Sequence, residues 1–144
     1  MNTLLTVDGS DHSYEAVHAL KYLAQAEQLT LLHVLDVAKS THPMMATRGE
    51  MEEYTAIEKG MREDGERLLD RVQSLLPMHA GPSTKHLRMG SPAEAIVSMA
   101  EEQKADLIVV GNKGMTGAKR FLLGSVPNKV SHHAPCSVII VRTT

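Results

Sequence analysis

From position 106 to position 141 the chain reads DLIVVGNKGMTGAKRFLLGSVPNKVSHHAPCSVIIV, two short apolar runs joined by a glycine-rich stretch and a segment with helical character. DLIVVG (106–111) and CSVIIV (136–141) are nearly continuous in Val and Ile. Such runs mark strands buried on both faces of a parallel sheet, since a half-wet strand alternates apolar with polar residues. Parallel neighbours need a crossover, and the loop and helix between these runs supply one.

Three more apolar runs precede this unit: TLLTV (3–7), LTLLHVL (29–35) and KHLRM (85–89). Segments with helical spacing lie between them. Ala16, Leu20 and Leu23 share one stripe. Tyr54, Ile57, Met61, Gly65, Leu68, Val72 and Leu75 share another and are expected to form a buried face, with Glu52, Glu53, Glu63, Asp64 and Arg67 largely off it. GSPAEAIVSMAEE opens a third helix, with Ser91 expected as N-cap, Pro92 at N1 and Glu94 at N3 of a capping box. A fourth helix is expected after Gly124, capped by Ser125 and ending before Pro135. Strands alternating with helices make a single doubly wound α/β domain spanning 1–144, a five-stranded parallel sheet with helices on both faces. Ligands of such folds bind at the carboxyl ends of the strands, where strand order reverses, so the loops at 8–11 and 111–124 are expected to be neighbours there. The segment 36–49, with Thr41, Pro43, Met44 and Met45, reads as a lid or a long connection.

Composition narrows the function. With 42% hydrophobic and 22% charged residues in 144, the chain has the make-up of a globular domain able to bury its own core. No run of eighteen apolar residues occurs, and MNTLLTVDGS lacks the basic and apolar regions of a secretion signal, so a cytoplasmic protein with no membrane partner is expected. The lone Cys136 reads as a small core residue. A net charge of -2, one Phe, three Tyr and no Trp disfavour nucleic acid as a partner. The histidines, His33 among them, show no zinc spacing, and His132 and His133 read as complementing the end of the fourth helix.

The stretch GNKGMTGAKRFLLGS (111–125) carries four glycines with Lys113, Lys119 and Arg120 among them, and Lys129 follows. Neither G-x-x-x-x-G-K-[ST] nor G-x-G-x-x-G after the first strand is present, which argues against a Walker NTPase or an ordinary dinucleotide enzyme. What is present is Gly111-x2-Gly114-x9-Gly124-Ser125, running from a strand end to a helix start. Glycines there let backbone amides approach phosphate oxygens, and the helix N-terminus adds partial positive charge. Singly, each glycine is accounted for by the shape of the loop; the whole spacing, at the fourth strand of this fold, favours an anion site. Asp8, before Gly-Ser at a strand end, suits a turn as well as a site.

With TVDGSDHSYEAV near the N-terminus, LLHVLD at the second strand, GSPAEAIV before the third helix and HHAPCSVIIVR at the end, this glycine spacing resembles the ATP-binding branch of the universal stress protein family. The resemblance covers nearly the whole chain. It implies an adenine nucleotide alpha hydrolase-like sheet of order 3-2-1-4-5, with ATP as ligand and Mg²⁺ or Mn²⁺ on its phosphates. Adenine would be held by the backbone at Val7 and Val34, with Val110 beside the ring. Asp8 would approach the ribose and the metal. Gly111 and Gly114 would lie along ribose and phosphates, and Gly124, Ser125 and Val126 would bind the phosphates. Asn112 and Lys113 stand at variable positions of the loop. Pro127 departs from the pattern by offering no donor where many relatives have one, with Asn128 and Lys129 close by, and Ser137 stands where many have a second proline.

The resemblance implies a nucleotide-dependent switch in a stress response, read by an unknown protein partner. Two alternatives stay open: a slow ATP hydrolase or phosphoryl-transfer enzyme, for which Asp8 and the basic residues make a thin catalytic set, and a nucleotide-free interaction module. The last strand, from Ser137 to Arg142, has only Thr143 and Thr144 after it. Its apolar edge is expected to pair, and the resemblance implies a homodimer joined there.

Overall fold

The computed structural model describes residues 1–23, 25–36, 47–112 and 122–142. Each of the five apolar runs is a strand: β1 Asn2–Thr6, β2 Gln28–Asp36, β3 Ser83–Gly90, β4 Leu107–Gly111 and β5 Ser137–Val141. They form one sheet of order β3-β2-β1-β4-β5, and all of its pairings are parallel. The helices are α1 Asp11–Ala19, continued by a 3-10 turn Leu20–Tyr22, then α2 Arg48–Ser74, α3 Pro92–Glu102 and α4 Ser125–His133. No helix among the described residues is long and apolar enough to cross a membrane.

Strand alternation distributes the core between the two faces. Leu5, Leu31 and Val109 point to one side, where Ala16 and Val17 of α1 and Leu69 and Val72 of α2 close over them. Leu4, Leu32 and Ile108 point to the other, against Ala93, Ile96 and Met99 of α3 and Val130 of α4. β1 lies at the centre, with Leu4 and Leu5 fully buried. Each such leucine gains roughly 1.5–3 kcal/mol from leaving water. Cys136 packs against the second cluster. Burial, reinforced by the Asp106 carboxylate, pushes its thiol pKa up and keeps it protonated and unreactive near neutrality.

The structure corrects three local expectations. Of the stripe expected along α2 only Gly65 and Val72 are buried, with Leu69 off the stripe buried in place of the half-buried Leu68, whereas Ile57 and Leu75 are 54% and 50% exposed. The reason is length: 27 residues of helix span about 40 Å, and the nine residues of β2 span only about 30 Å. α2 therefore overhangs the sheet, and no residue of it before Gly65 is buried. Secondly, Ser91 takes the N-cap position of α3, but its side chain makes no capping bond. Pro92 at N1 removes one of the amides that would need an acceptor. The reciprocal capping box forms instead at α2, where Thr47 N–H donates to Glu50 Oε2 at 2.8 Å and Glu50 N–H donates to Thr47 Oγ1 at 3.2 Å. Thirdly, α4 is capped by Gly124, and Ser125 is its first helical residue.

Gly65 lets α2 settle closely on β2 and β3. A Cβ there would lie 2.8 Å from Leu87 Cδ1 and 3.1 Å from His33 Cδ2, whereas one at Gly60 would meet nothing within 4 Å. Relieving the glycine penalty in a helix is worth up to about 1 kcal/mol, and crowding a packed site costs about 1–3 kcal/mol. Gly60→Ala is thus expected to stabilise the fold by up to about 1 kcal/mol. Gly65→Ala is expected to destabilise it by about 1 kcal/mol net. Urea unfolding of the two variants beside the parent checks the opposite signs.

Candidate functional site

At the carboxyl edge of the sheet, β1 ends before its neighbours β2 and β4. Its ladder with β2 ends with Thr6 opposite Leu32, while β2 runs on to Asp36 paired with β3. One further bond, Val7 N–H to the Leu32 carbonyl at 2.9 Å, is made beyond the last pair. In a continuing parallel ladder the next bond would run from Val34 N–H to the Val7 carbonyl. It is not made. The Val7 carbonyl instead lies 2.7 Å from His33 Nδ1. Leu32 turns its carbonyl toward β1, so Val34, two residues on, turns its amide and carbonyl the same way, past the end of β1. A notch opens there.

The chain leaves β1 through a tight turn. Asp8 is exposed, and its Oδ1 accepts the Ser10 amide at 2.9 Å, while Gly9 adopts φ +84, a conformation that suits glycine. Ser10 then caps α1 by accepting Ser13 N–H at 3.3 Å. One oxygen of Asp8 is therefore engaged in the turn, as the sequence allowed.

On the other side of the notch lies the end of β4. Val110 is buried, and Gly111 pairs with Val141. Asn112 splices three elements: its amide donates to the Val141 carbonyl at 2.8 Å and its carbonyl accepts the Gly124 amide at 3.0 Å. Asn112 is 5% exposed, and among the described residues its Oδ1 has no hydrogen-bond partner. A buried acceptor left unpaired costs on the order of 1–3 kcal/mol. It can accept from a donor such as a hydroxyl, an amino group or water.

α4 starts beside this splice. Asn128 N–H donates to the Gly124 carbonyl at 3.0 Å and so begins the helical ladder, and Pro127, buried at N3, has no amide. The Gly124 amide is committed to Asn112. The helix therefore presents two backbone donors, at Ser125, which is exposed, and at the half-buried Val126. Two amides and a hydroxyl at the positive end of a helix form a small anion cradle.

The sheet thus gathers Val7, Asp8, Val34, Val110, Gly111, Asn112, Gly124, Ser125 and Val126 along one edge. Gly114, Lys113, Lys119 and Arg120 lie outside the described residues, as do positions 37–46 of the expected lid. Among the described residues no three His, Cys, Asp or Glu side chains gather as a metal site. His33 is the participant that sequence reasoning passed over. The available signal was a polar ring inside an otherwise apolar strand.

Known proteins share this fold. Residues 1–142 match the Universal stress protein family. Universal stress protein YxiE of Bacillus subtilis is 33% identical over 143 residues, covering 96% of this chain and 97% of the relative. The structure of hypothetical protein MJ0577 superposes with TM-score 0.84 at 25% identity, covering 99% of this chain and 96% of that one. A universal stress protein in complex with cAMP superposes with TM-score 0.60 at 26% identity, over 100% and 98% of the two chains.

The turn after β1 gives a direct test of what Asp8 and Ser10 do for the fold. Ser10→Ala, which removes the α1 cap, is expected to cost about 1 kcal/mol. Asp8→Asn keeps the acceptor that closes the turn and is expected to change stability by less than about 0.5 kcal/mol. Chemical denaturation of both variants checks the contrast.

Proposed function

This chain belongs to the universal stress protein family, and we propose that it is an ATP-binding member acting as a nucleotide-dependent switch rather than as a dedicated enzyme. The observation that carries the reading is the notch at the end of β1, where Val34 directs a backbone donor and acceptor past the last ladder pair. Adenine offers the complement on one edge, an acceptor ring nitrogen beside an amino group. A relative's complex with cAMP supports adenine recognition in this fold. Asn112 Oδ1 would accept a donor from the ligand, and the Ser125 and Val126 amides with the Ser125 hydroxyl would hold phosphate oxygens. Gly124 would contribute room rather than a donor. Pro127 leaves this cradle one amide short of an ordinary helix start. A divalent cation, Mg²⁺ or Mn²⁺, would arrive on the phosphates, with Asp8 as the protein's carboxylate.

Titration of ATP with magnesium into nucleotide-stripped protein tests the reading. Binding is expected, with ATP turnover far below the usual enzyme range of about 1–1,000 per second. Ser125→Ala is expected to weaken binding by about tenfold or more, the loss of a hydrogen bond to a charged group. A stripped protein that takes up no adenine nucleotide would leave the interaction-module alternative standing.

β5 lies at the sheet edge, and its residues from Val138 to Val141 are only half-buried. That row of unpaired backbone groups beside apolar side chains supports pairing with a second copy through this strand. Light scattering at micromolar concentration is expected to give twice the chain mass of 15.7 kDa; a monomer there contradicts the homodimer.

A further inference from the structure

The notch exists because one ladder bond is missing, and the structure identifies what replaces it. The Val7 carbonyl lies 2.7 Å from the ring nitrogen Nδ1 of His33. A carbonyl oxygen only accepts, so Nδ1 carries the hydrogen and donates it. The acceptor that Val34 N–H would take in a ladder one pair longer is therefore occupied by a side chain from the neighbouring position on the same strand. The ring is held from behind by α2, where a Cβ on Gly65 would come within 3.1 Å of its Cδ2. We propose that His33 is a positioning residue for the nucleotide: by taking the Val7 carbonyl it ends the β1/β2 ladder at Thr6 and keeps the Val34 amide for the adenine edge.

This inference rests on the adenine reading for its consequence and on the hydrogen-bond geometry for its cause, and the two separate experimentally. Hydrogen exchange at the Val34 amide, measured by NMR without nucleotide, reads the cause. In the parent this amide is expected to exchange freely. In His33→Leu the Val7 carbonyl is released to the ladder, and protection at Val34 is expected to rise by at least about tenfold. His33→Asn, whose side-chain amide places an N–H near the position of Nδ1, is expected to behave as the parent. Nitrogen NMR of the parent supplies a variant-independent check. The Nδ1-protonated tautomer is expected for His33, and the Nε2-protonated tautomer would overturn the proposal even if His33→Leu failed to fold.

AMP titration reads the consequence. Binding is expected to weaken by about tenfold in His33→Leu, where adenine must compete with the Val7 carbonyl for one hydrogen bond, and to be retained in His33→Asn. Val34 exchange that is the same in His33→Leu and in the parent overturns the inference whatever the affinities. Exchange that responds to His33→Leu, in a parent whose Val34 amide is unaffected by AMP, upholds the ladder role and sinks the adenine reading instead.

Discussion

The structure depends on one constraint: the central strand β1 must pair on both edges and bury both faces while being only five residues long. It pairs with β2 along its whole length and with β4 from Thr3 to Leu5, and Leu4 and Leu5 anchor the two cores. Its brevity makes the site. β2 outruns it by the stretch from His33 to Asp36, which stays ordered because β3 pairs with it throughout. A strand end that would otherwise fray is held extended on one side and left open on the other. The opening lies at the point where strand order reverses, flanked by the start of α1 on one side and of α4 on the other.

Much of this was legible in the sequence, for physical reasons that differ by element. β1, β2 and β4 were found within a few residues because burial on both faces forces a continuous apolar run, a local signal, whereas β3 and β5, at the sheet edges, are apolar runs with no fully buried residue. The stripe on α2 misled because helical periodicity reports which side of a helix is apolar and not how far the sheet beneath extends. Ile57 and Leu75 obey the period and still face water. Capping motifs were ambiguous for a similar reason. Thr47 with Glu50 and Ser91 with Glu94 have the same spacing, yet only the first pair closes a box.

The site was legible in its parts and not in its connections. The glycine spacing marked a strand end and a helix start, and both are where it placed them. The commitment of the Gly124 amide to Asn112 was hidden, as was the unpaired Oδ1 of Asn112, because both depend on how β4, β5 and α4 converge. His33 was hidden most deeply. The role proposed for it comes from a register in which position 33 stands opposite the residue just past the end of β1, and register is a property of the sheet.

Recognition by backbone groups changes how such a site is conserved and how it fails. A ligand edge read by the amide and carbonyl of Val34 is indifferent to the valine side chain, which serves the core beside it. On the proposed adenine reading, selectivity would reside in the geometry that leaves those groups unpaired, and would be maintained by residues that need never touch the ligand. Gly65 belongs to that set. Its missing Cβ lets α2 approach closely enough to back the His33 ring, and that ring lies between the helix and the strand end. On that reading, side chains that shape the ladder would bear on binding as directly as those that line the notch, although they lie one layer behind it.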